Sequence, residues 1–258
     1  MSSAARLLAI LDLFTPERPI WTPDAINQAL GYTRPTGYRY VKQLVEAGFL
    51  HKMAGGRYSL GGRIMMLDFV QRQTDPMFVA AAAVMHELNR DTGLDVVLTG
   101  MFNGRIVDTH RVAAEPHLQL RYTRGRVRPL FQGAAAKVLV SQLPRGQLRR
   151  LYDNHAEEAR VQGAGSSWSE FRDLFARVRR QRFYLSYGEL EPDVGGAAVP
   201  VVSPQADFIA ALALVGTIEG LQRAGEQRLR AWLEAAAEQV RNRFLAMEDV
   251  LGATPEDS

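Results

Sequence analysis

Apolar positions recur at helical spacing from the start of the chain. Ala4, Leu7, Leu8, Leu11 and Phe14 share one face at 3.6-residue spacing, which predicts a helix over 3–15 ended by the prolines at 16 and 19. Thr22-Pro23 predicts a second start, a capping hydroxyl followed by proline at the first helical position, and Gly31 stops that helix near 30. Pro35 opens a third helix, which Gly48 closes. Three short helices with tight turns predict a helix-turn-helix. Phe49-Leu50 and the run 57–60 then predict two strands joined around Gly55-Gly56, a wing. Ile64, Met65, Leu67 and Phe69 predict a linker helix over about 61–73, ended by Asp75-Pro76.

Beyond it the pattern changes. A helix over about 77–91 precedes two extended runs between Asp95 and Val112, joined at Asn103-Gly104, the strongest two-residue hairpin signal. Extended chain continues through Leu118-Gln119-Leu120. Helices are predicted near 133–142, 145–153 and 168–182. Two β-rich runs, 194–203 and 207–216, pair around Pro204-Gln205-Ala206, and a long amphipathic helix over about 225–250 follows. Hairpin-paired strands flanked by helices make the fold class α+β rather than a parallel doubly wound sheet. The predicted organisation is a winged helix-turn-helix domain over 1–60, a linker helix over 61–75, a second domain over 76–250 and a disordered tail over 251–258, whose last residues from Thr254 carry no pattern.

Composition changes this picture little, and charge somewhat more. With 47% apolar residues, each domain can bury a core. There is no cysteine, which excludes a disulfide scaffold, thiolate metal ligands and a cysteine nucleophile. No signal peptide is read at the N-terminus, and no apolar run approaches the ~20 residues that span a bilayer, so the expectation is a cytoplasmic protein without a membrane partner. Residues 1–60 hold seven bases (Arg6, Arg18, Arg34, Arg39, Lys42, Lys52, Arg57) against four acids (Asp12, Glu17, Asp24, Glu46). That difference equals the +3 of the whole chain, and its placement suits nucleic-acid contact.

The third helix shows how such contact would be made. Gly37, Tyr40, Val41 and Leu44 share its inward face, while Pro35, Tyr38, Arg39 and Lys42 face outward, with Thr36 and Gln43 beside them. A helix entering the major groove presents its first residues to base edges. Arginine can pair bidentately with guanine, hydroxyls reach bases or phosphate, and lysine holds phosphates. Arg34 at the helix start and the wing cations Lys52 and Arg57 complete the candidate DNA-binding set.

Residues 5–69 resemble the DNA-binding domain of IclR-family regulators. The stretch Arg6-Leu7-Leu8-Ala9-Ile10-Leu11 follows the family's R-x-L-x-I-L. Further on, Thr36-Gly37-Tyr38-Arg39-Tyr40-Val41, Gly48-Phe49-Leu50 and Tyr58-Ser59-Leu60-Gly61 match its recognition helix and wing. Two positions depart: Pro35 stands where serine is usual, and Gly37 where a small apolar residue is usual. The likeness continues to about residue 247, through Gly125–Leu130 with Ala136-Lys137-Val138-Leu139-Val140, then 186–203, then 209–216. It implies a GAF-like effector-binding domain, a homodimer or dimer of dimers, and a palindromic double-stranded operator.

The resemblance also orients an effector site. The candidate residues are Met101, Leu130, Gly133, Ala134, Ala135, Ser186, Gly196, Ala213 and Val215. Gln132-Gly133-Ala134-Ala135 opens a helix with small residues, where free amides favour an anion. Aligned by Pro129-Leu130, Pro200 and Gly216, Ser186 stands where relatives sensing small polar acids can carry an acid, and Gly196 where they can carry cysteine. Ala213 and Val215 stand at two serines of such relatives. The lining is thus wider and more apolar, which points to an organic acid with a sizeable apolar body, aromatic acids leading, with Arg121 a possible assistant.

Other function classes find less support. The five histidines (His51, His86, His110, His117, His155) form no H-E-x-x-H, and no carboxylate pattern forms a metal site. His110 and His117 share a β-rich region and could line a pocket. There is no G-x-S-x-G, P-loop or G-x-G-x-x-G, and Gly163–Ser167 follows no strand. Glu189 and Glu191, beside Pro192, read as turn residues rather than an acid–base pair. The expectation is no enzyme, no metal and no cofactor. A small-molecule sensor without DNA binding remains the alternative, and an enzyme the least favoured one.

Overall fold

The computed structural model describes residues 2–114, 118–122, 124–203 and 208–252. The chain divides into two compact units between Asp75 and Pro76.

The first unit opens with helix α1 (Ser3–Leu8), a 3-10 turn (Leu11–Leu13), α2 (Pro23–Leu30) and α3 (Arg34–Glu46). Thr22 caps α2 by accepting from the Ala25 amide, and Gly31, in the left-handed region, ends it. Strands β1 (Leu50–Met53) and β2 (Arg57–Leu60) form the wing in the register Leu50↔Leu60 to Met53↔Arg57. The turn between them uses positive φ at both Gly55 and Gly56, which glycine adopts without steric cost. Trp21 bridges to Tyr58 as a short third strand, and its indole N–H donates to the Leu13 carbonyl at 2.9 Å.

The predicted helix over 3–15 is not continuous. It breaks after Leu8, so the turn that follows carries Ile10 fully into the core, while Ala4 and Leu8 lie exposed. Leu7, Leu11 and Phe14 of the expected face do pack partly buried on this core, whereas the period missed Ile10. Ile10, Trp21, Ile26, Tyr40, Val41, Leu44 and Leu50 form the core. Helix α4 (Arg63–Thr74) follows the wing and buries none of its residues.

In the second unit, α5 (Pro76–Thr92) leads into β3 (Asp95–Phe102) and β4 (Arg105–Val112). Both residues of the Asn103-Gly104 turn have positive φ, as the hairpin requires. Then come β5 (Val127–Arg128), α6 (Ala134–Gln142), α7 (Arg145–Val161), α8 (Trp168–Gln181), β6 (Tyr184–Tyr187), β7 (Val194–Ser203), β8 (Phe208–Thr217), α9 (Ile218–Ala224) and α10 (Glu226–Gly252). The six strands form one antiparallel sheet in the order β5-β4-β3-β8-β7-β6.

Side chains alternate across the sheet. Val96, Leu98, Leu212 and Leu214 enter a core with α5 and α10, whereas Val97, Ala211 and Ala213 enter a second core with α6 and α8. An antiparallel sheet covered by helices on both faces is the α+β arrangement read from the pattern.

Four details differ from the sequence reading. Helix α7 runs on past 153 to Val161, bent at His155. A short helix not foreseen, α9, precedes the expected last helix, and Gly225, at positive φ, separates the two. Strand β6 was not foreseen, because four residues between a helix and a turn show too little alternation. Leu118–Leu120 is irregular rather than a strand. His117, the turn at 204–206 and the tail from 254 lie outside the described residues.

Candidate DNA-reading face and effector cavity

Helix α3 buries the four residues assigned to its inner face, Gly37, Tyr40, Val41 and Leu44. Tyr40 is held from two sides, by a 3.0 Å hydrogen bond with Ser3 Oγ and by an edge contact with Tyr32, whose hydroxyl donates to the Arg6 carbonyl. These contacts fix the helix against α1. Pro35, Tyr38, Arg39, Lys42 and Gln43 are exposed on the opposite side, and Thr36 is half-buried, accepting from Thr33 Oγ1 at 2.9 Å. Lys42 reaches Glu46 only loosely, at 3.7 Å.

Arg34 behaves differently from the other cations. Its Nε and Nη2 bind both oxygens of Asp24 at 3.0 and 3.1 Å. Those hydrogen bonds and the guanidinium charge hold the Asp24 carboxyl below the usual carboxylate range. The pair ties the start of α3 to α2. On the wing Lys52 and Arg57 are exposed, and Arg57 Nε donates to the Ala54 carbonyl at the turn.

The second unit holds a cavity between its sheet and the start of α6, with about 500 Å³ of empty space including its mouth. Of the nine candidate effector residues, the structure brings together seven: Gly133, Ala134, Ala135, Ser186, Gly196, Ala213 and Val215 all line it. Leu130 and Met101 do not. Leu130 is buried in the core beside α6, and Met101 packs half-buried on that same core. Val97, Ala134, Ala135, Ala213 and Val215 make an apolar wall. Gly196 keeps that wall open, since a Cβ there would meet Ser186 Oγ and the Ala134 methyl only at ordinary contact distances of 3.7 and 3.8 Å. Ser186 is buried, its hydroxyl donating to the Gly196 carbonyl at 3.2 Å.

Of the amides at 133–135 expected to receive an anion, the first is engaged by a side chain. Gly133 N–H donates to Glu189 Oε2 at 2.9 Å. Lys137 Nζ contacts both oxygens of the same carboxylate at 2.8 Å, and the Tyr184 hydroxyl lies 3.1 Å from it. Glu189 does sit in a turn region, but there it pairs, half-buried, with the buried Lys137 over the start of α6. Arg121 is exposed and does not line the cavity; its backbone N–H donates to Glu191 Oε1.

Sequence reasoning missed the cavity's charged residues. Asp108 on β4 and Arg128 on β5 line it, as do Tyr122 and Glu191. Arg128 Nη1 donates to Asp108 Oδ1 at 2.7 Å, and Thr99 Oγ1 donates to the same oxygen at 2.8 Å. The only available signal was an arginine directly before Pro129-Leu130, in a stretch otherwise read for its backbone. Among the described residues no group of three or more His, Asp or Glu stands where it could hold a metal ion, and no helix is long and apolar enough to cross a membrane.

Comparison with known proteins agrees with both units. The family model for the IclR helix-turn-helix domain matches residues 3–53, and that for the C-terminal domain of bacterial IclR transcriptional regulators matches residues 72–242. The HTH-type transcriptional regulator KipR of Bacillus subtilis is 26% identical over 219 residues, 83% of this chain and 85% of that protein. An IclR-family transcriptional regulator from Brucella abortus has the same fold, with a TM-score of 0.78 at 22% identity, over 94% of this chain and 92% of that one. An IclR homologue from Microbacterium hydrocarbonoxydans, solved in complex with 4-hydroxybenzoate, superposes with a TM-score of 0.71 at 22% identity, over 95% of this chain and 100% of the other. The chain belongs to the IclR family of DNA-binding transcriptional regulators.

Proposed function

We propose that this regulator answers to a small organic acid with a sizeable apolar body, aromatic acids being the leading class, and reads its operator through α3. The observation that carries the effector reading is the cavity itself, an apolar wall of Val97, Ala134, Ala135, Ala213 and Val215 facing a few polar groups. Small-molecule sites have this make-up. The 4-hydroxybenzoate complex of a structural neighbour favours the same ligand class.

On the DNA side, Thr36, Tyr38, Arg39 and Gln43 read base edges, while Lys42, Lys52 and Arg57 hold phosphates. Pro35 pre-sets the helix start. Arg34 braces that start through Asp24 and reaches a phosphate only by exchanging this partner. The working form is a homodimer, or a dimer of dimers, on a palindromic site in the cytoplasm, acting without cofactor or catalysis.

The test is a thermal-shift and calorimetric screen of wild type and Gly196→Val with benzoate, 4-hydroxybenzoate, glyoxylate and pyruvate, run beside operator binding by fluorescence anisotropy. A bound acid raises apparent stability by mass action. At least one aromatic acid should bind wild type and alter its operator affinity. Gly196→Val, which fills the cavity, should bind it at least about tenfold more weakly, a loss of ~1.4 kcal/mol. Tight binding of glyoxylate or pyruvate with none for either aromatic acid would sink the effector reading.

A further inference from the structure

We propose that Arg128 is the anchor for the effector's head group, that it takes a planar carboxylate side-on, and that the cavity selects monocarboxylates over dicarboxylates. The proposal rests on the reading of the cavity as an acid site and adds which residue holds the acid and what charge the ligand carries.

The Arg128 side chain is 8% exposed and borders the cavity. Only its Nη1 is engaged by a side chain, at 2.7 Å from Asp108 Oδ1. Its buried Nε has no hydrogen-bond partner among the described residues. A buried donor left without a partner costs about 1–3 kcal/mol, so a ligand that satisfies it recovers that cost on binding. The Nε–Nη2 edge of a guanidinium is one of the two edges on which a carboxylate binds bidentately. Nη2 is turned towards Gly133, where a Cβ would lie only 3.3 Å away. A side chain at 133 would therefore crowd this end of the guanidinium.

Two further observations direct the anion to Arg128. At the start of α6 the Gly133 amide is already bound to Glu189, itself neutralised by Lys137, so an anion there would lie beside that carboxylate and find only the Ala134 and Ala135 amides. Asp108 is held by Thr99 as well as by Arg128, so it fixes the guanidinium in place and acts as a positioning residue.

The charge balance then limits the ligand. Arg128 is the one cationic side chain among the described lining residues, which also include two carboxylates, Asp108 and Glu191. One ligand carboxylate finds the arginine edge, and a second finds no further cation among the described lining residues. The other end of the ligand lies on the apolar wall and, through a hydroxyl, can donate to Glu191 or pair with Tyr122.

The experiment is calorimetry on the full chain with benzoate, 4-hydroxybenzoate, 4-hydroxybenzamide and terephthalate. Wild type should bind the monocarboxylates at least about tenfold more tightly than the amide and than the dicarboxylate, the ratio expected for a charge-assisted bidentate contact. Arg128→Lys keeps the charge but loses the planar edge, and should weaken 4-hydroxybenzoate measurably without abolishing its binding. Arg128→Met leaves Asp108 buried and unpaired, so it is paired with Asp108→Asn to keep the fold, checked by circular dichroism. The double variant should lose the preference for acid over amide. Equal binding of acid and amide by wild type overturns the proposal, as does an unchanged acid–amide ratio in a folded double variant. If the variants fail to fold, the wild-type ratio alone decides. If amide and acid both fail to bind wild type, the acid-site reading falls and this proposal falls with it.

Discussion

Gly37 sits inside the recognition helix, where glycine costs about 1 kcal/mol relative to alanine. Asn27 on the preceding helix explains it. A Cβ at position 37 would stand 1.5 Å from Asn27 Oδ1, so the two residues occupy one space. Asn27 is 7% exposed, and neither its amide nitrogen nor its oxygen has a hydrogen-bond partner among the described residues. Gly37→Ala alone should destabilise α3 by about 1–3 kcal/mol through overpacking. Asn27→Ala removes both the clash and an unsatisfied buried amide, so Asn27→Ala/Gly37→Ala should be at least as stable as wild type. Hydrogen exchange of the α3 amides in the full chain reads this directly, and a double variant as labile as the single one would refute it. On the outer face of the same helix, Arg39→Ala should cost about 1–3 kcal/mol of specific binding if it reads a base. Lys42→Ala should weaken all sequences alike and flatten the salt dependence. Unchanged operator affinity in Arg39→Ala/Lys42→Ala would remove α3 from the DNA interface. The four inward positions of α3 were legible because a 3.6-residue period reports burial. Asn27's role was not, since it depends on two helices meeting.

At the scale of elements, punctuation residues were the most legible feature. Thr22-Pro23, Gly31 and Asn103-Gly104 each impose one backbone geometry, and each sits where its turn or cap is needed. Periodicity failed where an element broke without punctuation, as after Leu8, or was too short to show a period, as in β6. The cavity's apolar side was readable in part because β7 and β8 alternate along their length. Its charged side was not: Asp108 and Arg128 lie twenty residues apart and meet because β5 pairs with β4. Helix α4 raises a different question. Met65, Met66, Leu67, Phe69 and Val70 are all exposed, Phe69 by 64%. A contiguous apolar surface of this kind marks an interaction site in a soluble protein. In the proposed homodimer it is the contact surface, with exposed Leu8 a further candidate; Phe14, half-buried on the core of its own unit, is a poorer one. Met66→Asp/Phe69→Asp should therefore yield monomers by light scattering and lose tight operator binding. A dimeric double variant would place the contact elsewhere.

For the whole molecule, the proposed DNA-reading face and the proposed effector cavity fall in separate compact units, each with its own core. The basic surplus lies in residues 1–60, which suits a polyanionic partner for the first unit, and the remainder of the chain is electrically balanced. If the acid acts by changing operator affinity, the two binding equilibria are linked, and linkage is reciprocal. If an aromatic acid changes operator affinity by some factor, saturating operator must change the acid's affinity by the same factor, and couplings of this kind run to about 5–150-fold. The measurement is a titration of 4-hydroxybenzoate into the protein alone and into its complex with a saturating operator duplex, at one salt concentration because DNA affinity falls steeply with salt. The two acid affinities should differ by the factor found in the anisotropy experiment. Identical acid affinities with and without operator would mean that the cavity binds its ligand without regulating DNA, and that the response is carried by something other than the affinity of the first unit for its site.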